Sequence, residues 1–249
     1  MQDVEKVYQD AYYRTNCLKG LFIHDIANLF QIISNSVELC ESLLKEGVQR
    51  ENIIEYFQMI MQQLTQGKKL IRNIGSLSEL EEYEVPLEPV EVFSMLKSAI
   101  DFTRISFPKR EIDIKVISEY RNAYTLANEL LSEVFENIIM NSINYNTDKV
   151  VQVEVIISKV DIHYNNYVKI EFKDNGIGID DDRKGIIFQE VYLKRKHAKG
   201  MGIGLSLVAK LMRLYDGEIW VENRIRGDST KGSNFIILIP LAKKEEGVL

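Results

Sequence analysis

A histidine with two polar neighbours is the first group of residues that could do chemistry: His24, Asp25 and Asn28 in the segment HDIAN. A neutral imidazole nitrogen can accept a phosphoryl group when its other nitrogen is held by a hydrogen bond. An adjacent carboxylate can orient the ring and take up its proton. A carboxamide one helical turn further on could position a water for removing phosphate from a partner. The alternative interpretation is an ordinary solvated helix face.

Two carboxamides form the second group, in the segment Asn137-Ile-Ile-Met-Asn141. Residues four apart lie on one face of a helix, so both side chains point the same way. Carboxamide oxygens suit a Mg²⁺ ion that also carries phosphate groups. Because asparagines are common on helix surfaces, this pair alone is weak support for a metal site.

An aspartate and two glycines follow a predicted strand, as Asp174, Gly176 and Gly178 in DNGIGI. A carboxylate at a strand end can accept a hydrogen bond from an exocyclic amine such as that of adenine. The glycines allow the backbone to approach a flat ring closely. An ordinary turn is the alternative interpretation of this spacing.

Glycines spaced by two open a predicted helix in GMGIGL, which comprises Gly200, Gly202, Gly204 and Leu205. Backbone amides at a helix N-terminus favour bound anions such as phosphates. The preceding segment LKRKHAK, which ends at Lys199, is basic and could close over phosphates. Neither a dinucleotide fingerprint nor a P-loop fits, because no strand precedes the glycines and no Gly-Lys-Ser/Thr follows them.

Heptad spacing places the histidine group on a helix. The first apolar series has alternating steps of three and four residues, at Ile23, Ile26, Phe30, Ile33, Val37, Cys40 and Leu44. In this register His24, Asp25 and Asn28 point to solvent. A second series follows the loop sequence LKEGVQREN, at Ile53, Phe57, Ile60, Leu64, Ile71 and Ile74. The apolar stripe is too wide for two helices alone, so the pattern predicts a helical hairpin that forms a four-helix bundle as a homodimer.

The rest of the chain predicts a second domain with mixed secondary structure. An acidic, proline-punctuated linker is expected at 83–90, between the hairpin at 1–82 and the domain at 91–249. Helices are expected in FSMLKSAIDFTRI, NELLSEVFENIIMNSINY and GLSLVAKLMRLYD. Strands are expected in EIDIKVIS, NAYTLA, VVQVEVIISKV, YVKIEFKD, GEIWVEN and SNFIILIP, with a turn at Asn165-Asn166. This order predicts an α+β fold whose second domain is an α/β sandwich with a mixed, mainly antiparallel sheet.

Composition narrows the class of protein. The net charge of −6 argues against a nucleic-acid partner. No apolar run reaches the roughly 18 residues of a membrane span, so no membrane contact is expected for this chain. The two cysteines, Cys17 and Cys40, have no metal-type spacing and favour a reducing compartment. A cytoplasmic location is therefore expected, either alone or as the cytoplasmic part of a larger sensor protein.

Six segments in order resemble the H, N, G1, F, G2 and G3 boxes of sensor histidine protein kinases. They are HDIAN, NIIMNSINY, DNGIGI, IFQEVY, GMGIGLSL and KGSNFIILIP, and the resemblance extends from about residue 8 to 241. It implies a dimerisation and phosphotransfer hairpin followed by an ATP-binding domain of the GHKL type, which gyrase-type ATPases share. ATP and Mg²⁺ are the implied cofactors, and a response-regulator receiver domain is the implied partner.

The resemblance also implies roles for individual residues. His24 would be phosphorylated from ATP, Asp25 would act as base or orienting group, and Asn28 would position water in a phosphatase reaction. Nucleotide or Mg²⁺ contacts would come from Asn137, Asn141, Tyr145, Asp174, Gly176, Gly178, Lys199, Gly200, Gly202, Gly204 and Leu205. Several positions depart from the family pattern. Asn144 and Leu193 stand where basic residues are usual, Ser142 stands where alanine is usual, and Leu29 and Phe30 stand where a proline is usual.

Two other functions fit parts of the sequence. The first is a GHKL-type ATPase, but such enzymes carry a water-activating glutamate four residues before the Mg²⁺ asparagine, and Asn137 occupies that place here. The second is a non-catalytic phosphotransfer or scaffold dimer that only presents His24. The intact Asn141, Asp174 and glycine-rich segment argue against this second alternative, because a site without activity would not need them.

Overall fold

The structure, a computed structural model, describes residues 23, 26–45, 50–82, 85–162, 164–188 and 203–242. It divides into two compact units. The first contains the described residues through Gly75, together with Ile203, and the second contains those from Ser76 to Phe188 and from Gly204 onward.

Two helices make up most of the first unit. Helix α1 covers residues 26–45 and helix α2 covers Arg50–Glu82, of which the part through Gly75 belongs to this unit. The Cys40 thiol lies 4.0 Å from the Ile53 carbonyl oxygen, near the connection between the helices. Further along, a Cβ placed on Gly67 would lie 3.5 Å from Leu29 Cδ1. The two helices therefore run side by side in opposite directions, as the predicted hairpin requires.

Helix α1 has one buried face and one exposed apolar face. Leu29, Ser36 and Cys40 are buried, whereas four apolar residues spaced seven apart are exposed: Ile23, Phe30, Val37 and Leu44. An exposed apolar series also occurs on α2, at Ile54, Phe57, Met61, Leu64 and Ile71. We call these nine exposed residues the outer stripe. Within one copy of the chain, the hairpin covers only one side of its apolar surface.

The second unit begins with the last two turns of α2. The Ser76 hydroxyl donates to Glu133 Oε2 at 3.1 Å, and Lys210 Nζ donates to the Leu77 carbonyl at 3.3 Å. The Leu77 and Leu80 side chains pack against the core of this unit. Its remaining elements are β1 (Glu88–Glu91), α3 (Val92–Ser106), β2 (Glu111–Ser118), β3 (Tyr124–Ala127), α4 (Leu131–Asn144), β4 (Val150–Ile162), β5 (Asn165–Asp174), α5 (Asp181–Lys184), α6 (Ile203–Leu214), β6 (Glu218–Ile225) and β7 (Asp228–Pro240).

A five-stranded sheet with strand order β2-β4-β5-β7-β6 forms the centre of the second unit. Strands β2 and β4 are parallel, and the other three pairs are antiparallel. Strands β1 and β3 form a separate antiparallel pair. The prediction of an α+β fold with a mixed, mainly antiparallel sheet is confirmed.

Alternation along the strands places one face of this sheet against helices. In β5 the buried side chains are Val168, Ile170 and Phe172, each two residues from the next. The Phe172 ring lies 5.9 Å from the ring of Phe135 on α4. Because α4 is buried along most of its length, the position of any polar residue on it is closely fixed by packing.

Two local features differ from the sequence predictions. Asn165 and Asn166, expected in a turn, begin β5 and pair with Ile162 and Asp161 of β4. Residues 88–90, expected in the linker, lie in β1, with Pro89 opposite Leu126 of β3. Across the part of the chain described here, none of the helices is both long enough and apolar enough to cross a membrane.

Candidate functional site

Asp174 is the centre of the candidate site. It is the last residue of β5, and only 4% of it is exposed. Its Oδ1 accepts hydrogen bonds from the backbone N–H of Gly176 at 2.8 Å and of Ser233 at 3.2 Å. Its Oδ2 accepts a hydrogen bond from the Ser142 hydroxyl of α4 at 3.4 Å. The carboxylate is thus held by three separate segments of the second unit.

The hydrogen-bond count shows what this carboxylate can still bind. An ionised carboxylate has about four acceptor positions, and the described residues fill three of them. One acceptor position on Oδ2 remains for a ligand donor such as an exocyclic amine. Burial raises the pKa of Asp174, while the Gly176 and Ser233 amides, the Ser142 hydroxyl and the charge of Arg224 act in the opposite direction.

The loop after Asp174 approaches other backbone closely, as its glycines suggested. Gly178 has a φ of +74°, and a Cβ at this position would lie 1.8 Å from the Ser229 carbonyl oxygen. Only glycine fits there without moving the backbone. The structure therefore gives Gly178 a role in holding this loop against the start of β7, a role separate from ligand contact.

The two asparagines of α4 have different surroundings. Asn137 is buried, and its Nδ2 donates to the Glu133 carbonyl of its own helix at 2.9 Å. Asn141 is half-buried and makes no side-chain hydrogen bond to another described residue. Asn141 lies next to Ser142, the α4 donor to Asp174. Because Asn141 is the more exposed of the two, it is the better placed to offer an oxygen to a metal ion.

Tyr145 ends α4, and 40% of it is exposed. Its backbone carbonyl accepts a hydrogen bond from Ile177 N at 3.0 Å, which joins the end of α4 to the loop after β5. Gly176 is within the same contact, because a Cβ there would lie 2.7 Å from the Tyr145 carbonyl oxygen. The structure therefore brings Tyr145, Asp174 and Gly176 together.

Several predicted site residues lie outside the described part of the chain: His24, Asp25, Lys199, Gly200 and Gly202. Of the remaining ones, Asn28 is exposed on α1 of the first unit, as predicted. Gly204 and Leu205 lie in the first turn of α6, where the glycine-rich motif was expected to open a helix.

Phe188, from the segment matched to the F box, lies at the end of a described stretch. Its ring meets the ring of Phe235 on β7 edge to face, with centroids 6.1 Å apart. Ile187 beside it is buried. These contacts fix the start of the segment that leads into the glycine-rich region.

A groove of about 390 Å³ borders the loop after Asp174. Its lining comes from the connection after α4, from this loop and from the β6–β7 hairpin: Thr147, Asp148, Asn175, Gly176, Ile177, Arg224, Ile225, Thr230 and Lys231. Among the described residues there is no group of three or more His, Cys, Asp or Glu side chains that could hold a metal ion. Any metal at Asn141 would therefore need most of its ligands from phosphates and water.

Sequence reasoning missed two donors to Asp174. Ser142 replaces the alanine that is usual after the second asparagine, and the substitution alone gave no sign of a hydrogen bond to a residue 32 positions away. The Ser233 amide lies in the segment matched to the G3 box, but its donor role depends on the pairing of β5 with β7.

Comparison with known proteins relates most of the second unit to one family. Residues 127–243 match the family described as histidine kinase-, DNA gyrase B- and HSP90-like ATPases. This range includes α4, Asp174, α6 and β7, and therefore all of the described nucleotide-site residues. Most of the second unit is therefore similar to the ATP-binding domains of this family.

Relatives with the word kinase in their names extend the similarity to the rest of the chain. Adaptive-response sensory kinase SasA of Synechocystis is 23% identical over 250 residues, covering 96% of this chain and 62% of the relative. Sporulation kinase E of Bacillus subtilis is 25% identical over 225 residues, covering 90% of this chain and 28% of the relative. The chain thus spans less than two thirds of the length of these relatives.

Solved structures support the fold of the histidine kinase-like core. The histidine kinase AdeS of Acinetobacter baumannii has a TM-score of 0.56 at 16% identity, with 88% of this chain and 98% of that chain covered. A mycobacterial sensor histidine kinase, MprB, has a TM-score of 0.52 at 18% identity, with 62% of this chain and 97% of that chain covered.

Proposed function

We propose that this chain is a histidine protein kinase core that autophosphorylates His24 from Mg-ATP and passes the phosphoryl group to an aspartate of a response regulator. The observation that carries the proposal is the buried Asp174 carboxylate, which has one acceptor position left on Oδ2. Adenine has an exocyclic amine that can donate to this position, whereas guanine and hypoxanthine have a carbonyl oxygen there. Asp174 therefore selects adenine nucleotides.

The phosphate end of ATP would lie along α4 and α6. Asn141 would supply a carboxamide oxygen to Mg²⁺, and the first turn of α6, with Gly204 and Leu205, would present backbone N–H groups to the phosphates. Lys199, Gly200 and Gly202 complete this arrangement in the proposal. When bound, Mg²⁺ would neutralise charge on the phosphates.

The reaction itself requires little covalent chemistry from the protein. One imidazole nitrogen of His24 attacks the γ-phosphorus, the bond to the β–γ bridging oxygen breaks, and ADP leaves with that electron pair. Asp25 orients the ring and accepts its proton. A receiver-domain aspartate then attacks the phosphohistidine, which restores His24. In a separate phosphatase reaction, Asn28 would position a water that attacks the phosphorus of the phosphoaspartate, which releases inorganic phosphate and restores the aspartate.

Asn137 supports phosphoryl transfer to protein rather than ATP hydrolysis. Water-activating ATPases of this fold carry a glutamate at the corresponding place, and a carboxamide cannot act as a general base. In addition, the Nδ2 of Asn137 donates to the Glu133 carbonyl of its own helix. ATPase activity would therefore lack its usual base.

The outer stripe supports a homodimer. Phe30 is 66% exposed and Phe57 is 56% exposed, and exposed apolar side chains at heptad spacing are typical of helices that pair with further helices. A second copy would cover the stripe and complete a four-helix bundle. The proposed division into hairpin (1–82), linker (83–90) and ATP-binding domain (91–249), and a cytoplasmic location, accompany this function.

Incubation with γ-labelled ATP and Mg²⁺ tests the proposal. The expected label is stable to base and labile to acid, as phosphohistidine is, and it disappears in His24→Gln. His163→Gln, a substitution of another of the three histidines, is the matched control and should keep the label. Release of free phosphate without labelled protein would instead indicate an ATPase. Neither label nor phosphate would indicate a non-catalytic phosphotransfer or scaffold dimer.

A further inference from the structure

Asn175 lies between the two residues of the candidate site that contact each other most directly, Asp174 and Gly176. All four hydrogen-bonding positions of its carboxamide are used. Its Oδ1 accepts from Asn146 Nδ2 at 2.7 Å and from Gln152 N at 2.8 Å. Its Nδ2 donates to Asp148 Oδ2 at 2.9 Å and to the Val150 carbonyl at 3.1 Å. A residue that merely forms a turn would not need this many partners.

The partners of Asn175 lie in the connection after α4 and in the first residues of β4. Asn146 is buried, and its carbonyl accepts a hydrogen bond from Arg110 Nη2 at 2.8 Å. The Asn175 backbone N–H donates to the Gln152 carbonyl at 3.2 Å. The loop that carries Gly176 is therefore anchored to rigid structure on the side away from β7.

The anchored loop determines where the Gly176 N–H points. This N–H donates to Asp174 Oδ1 at 2.8 Å. Gly176 also lies close to the Tyr145 carbonyl, and this contact restricts where the loop can lie. A shift of the loop would remove one of three protein donors from Asp174. It would also change which acceptor position of the carboxylate remains for the ligand.

We infer that Asn175 is a positioning residue for purine recognition, because its carboxamide sets the Gly176 amide that in turn orients the Asp174 carboxylate. The inference rests on the proposed function, since it assumes that Asp174 accepts a hydrogen bond from the adenine amine. It assigns to Asn175 a role in base selectivity rather than in phosphate binding. The roles of Asn141 and of the first turn of α6 are separate from it.

Binding of ATP and of inosine triphosphate (ITP) to the full chain separates selectivity from general damage. Hypoxanthine, the base of ITP, has a carbonyl where adenine has its amine, so the unmodified chain should bind ATP about tenfold or more tightly than ITP. In Asn175→Ala this ratio should fall towards one, chiefly through weaker ATP binding. A purely structural loss would weaken both nucleotides equally and leave the ratio unchanged.

Two further variants make the test specific. Asp148→Ala removes one exposed partner of Asn175 and should lower the ratio partly, in a protein that still folds. Asn165→Ala, an exposed asparagine at the opposite end of β5, is the matched control and should keep the ratio of the unmodified chain.

The pH dependence of ATP binding gives a second readout. ATP binding requires the ionised Asp174, and loss of the Gly176 donor would raise its pKa further. The acid limb of the binding curve, which is the pH range in which ATP binding declines on acidification, should therefore move to higher pH in Asn175→Ala. Arg224 is the charged group that acts on Asp174, and it is unchanged in these variants.

The outcomes distinguish two failures. If the unmodified chain binds no ATP, the proposed function itself fails. If it prefers ATP over ITP but Asn175→Ala and Asp148→Ala keep the same ratio and the same acid limb, only the role of Asn175 is overturned.

Discussion

The Tyr215 hydroxyl donates a hydrogen bond to Asn128 Oδ1 at 2.6 Å, which joins the end of α6 to the beginning of α4. The same oxygen of Asn128 accepts from Leu130 N at 3.1 Å in the turn before α4. Tyr215 is buried, and burial raises the pKa of its phenol, so the group stays a donor at all ordinary pH values. The two helices that flank the nucleotide site are thus linked at the ends away from the glycine-rich motif.

Removing either side chain of this pair should destabilise the second unit. Tyr215→Phe should cost about 1 kcal/mol and Asn128→Ala about 2 kcal/mol, because Asn128 also holds the turn before α4. Urea unfolding of the single and double variants should show that their effects are not additive, since they remove one shared bond. Tyr164→Phe, at a tyrosine that is 97% exposed, is the control and should change nothing. Additive effects would mean that the bond contributes little.

Two glycine-to-alanine substitutions should have opposite effects. Gly178→Ala introduces a Cβ 1.8 Å from the Ser229 carbonyl at a φ of +74°, so it should destabilise the second unit by about 2 kcal/mol or more and weaken ATP binding. Gly75→Ala lies inside α2, where a Cβ would meet nothing within 4 Å, and should stabilise the helix by about 0.5–1 kcal/mol. Thermal unfolding measures both, and a stabilising Gly178→Ala would contradict the loop geometry.

Charge in the outer stripe should prevent dimer formation. Phe57→Glu places a carboxylate where the second copy would cover the helix, and burying an unpaired charge is costly. Light scattering during size-exclusion chromatography should show a dimer for the unmodified chain and a monomer for this variant. Ile105→Glu changes a residue that is 78% exposed on α3 and should leave the dimer intact. A dimer in both variants would place the contact elsewhere.

Acid should have opposite effects on ATP binding and on folding through Asp174. Burial raises the pKa of Asp174 above the usual value of an aspartate carboxyl. As the pH falls through the raised value, Asp174 becomes neutral, loses its remaining acceptor position for the amine, and ATP binding decreases. The folded state holds this proton more tightly than the unfolded state, so the contribution of Asp174 to stability is largest below its unfolded pKa and declines as the pH rises through the folded pKa.

Asp174→Asn should remove both pH effects and weaken ATP binding at neutral pH. Calorimetric titrations and thermal unfolding between pH 4 and 8 measure the two quantities separately. Asp113→Asn, in the edge strand β2, is the control and should retain the pH dependence of ATP binding. An unchanged acid limb in Asp174→Asn would assign that limb to another group.

The sequence predicted those parts of the fold that local patterns determine. Strand β2 matches its predicted range of 111–118 because apolar and polar residues alternate along it. Strand β1 was missed because Pro89 and its acidic neighbours are typical of a linker, and its pairing with β3 depends on residues more than 30 positions away. The turn between β4 and β5 was placed too late because Asn165-Asn166 is a turn signal that strand pairing overrides.

In the candidate site too, residues with a local sequence pattern were predicted and residues that act through distant partners were missed. Asp174 and Asn141 were predicted because their residue types and neighbouring motifs suffice to suggest the chemistry. The Ser142 hydroxyl, the Ser233 amide and the Asn175 carboxamide act through partners brought together by the sheet and α4, so single-sequence patterns gave no sign of them. Asn137, predicted as a second Mg²⁺ ligand, donates to its own helix in the structure, and its role with Mg²⁺ stays a prediction.

Because of the outer stripe, the stability of the hairpin depends on the concentration of the protein. The second unit buries its core within one chain, so its folding does not depend on dilution. The hairpin leaves an apolar series uncovered in one chain, and by mass action its stability increases with the concentration of partners that can cover it. Under the proposed dimer, the acceptor histidine would be presented properly only above a threshold abundance, whereas nucleotide would be bound at any abundance. Cells that make few copies would thus hold nucleotide-loaded but silent chains.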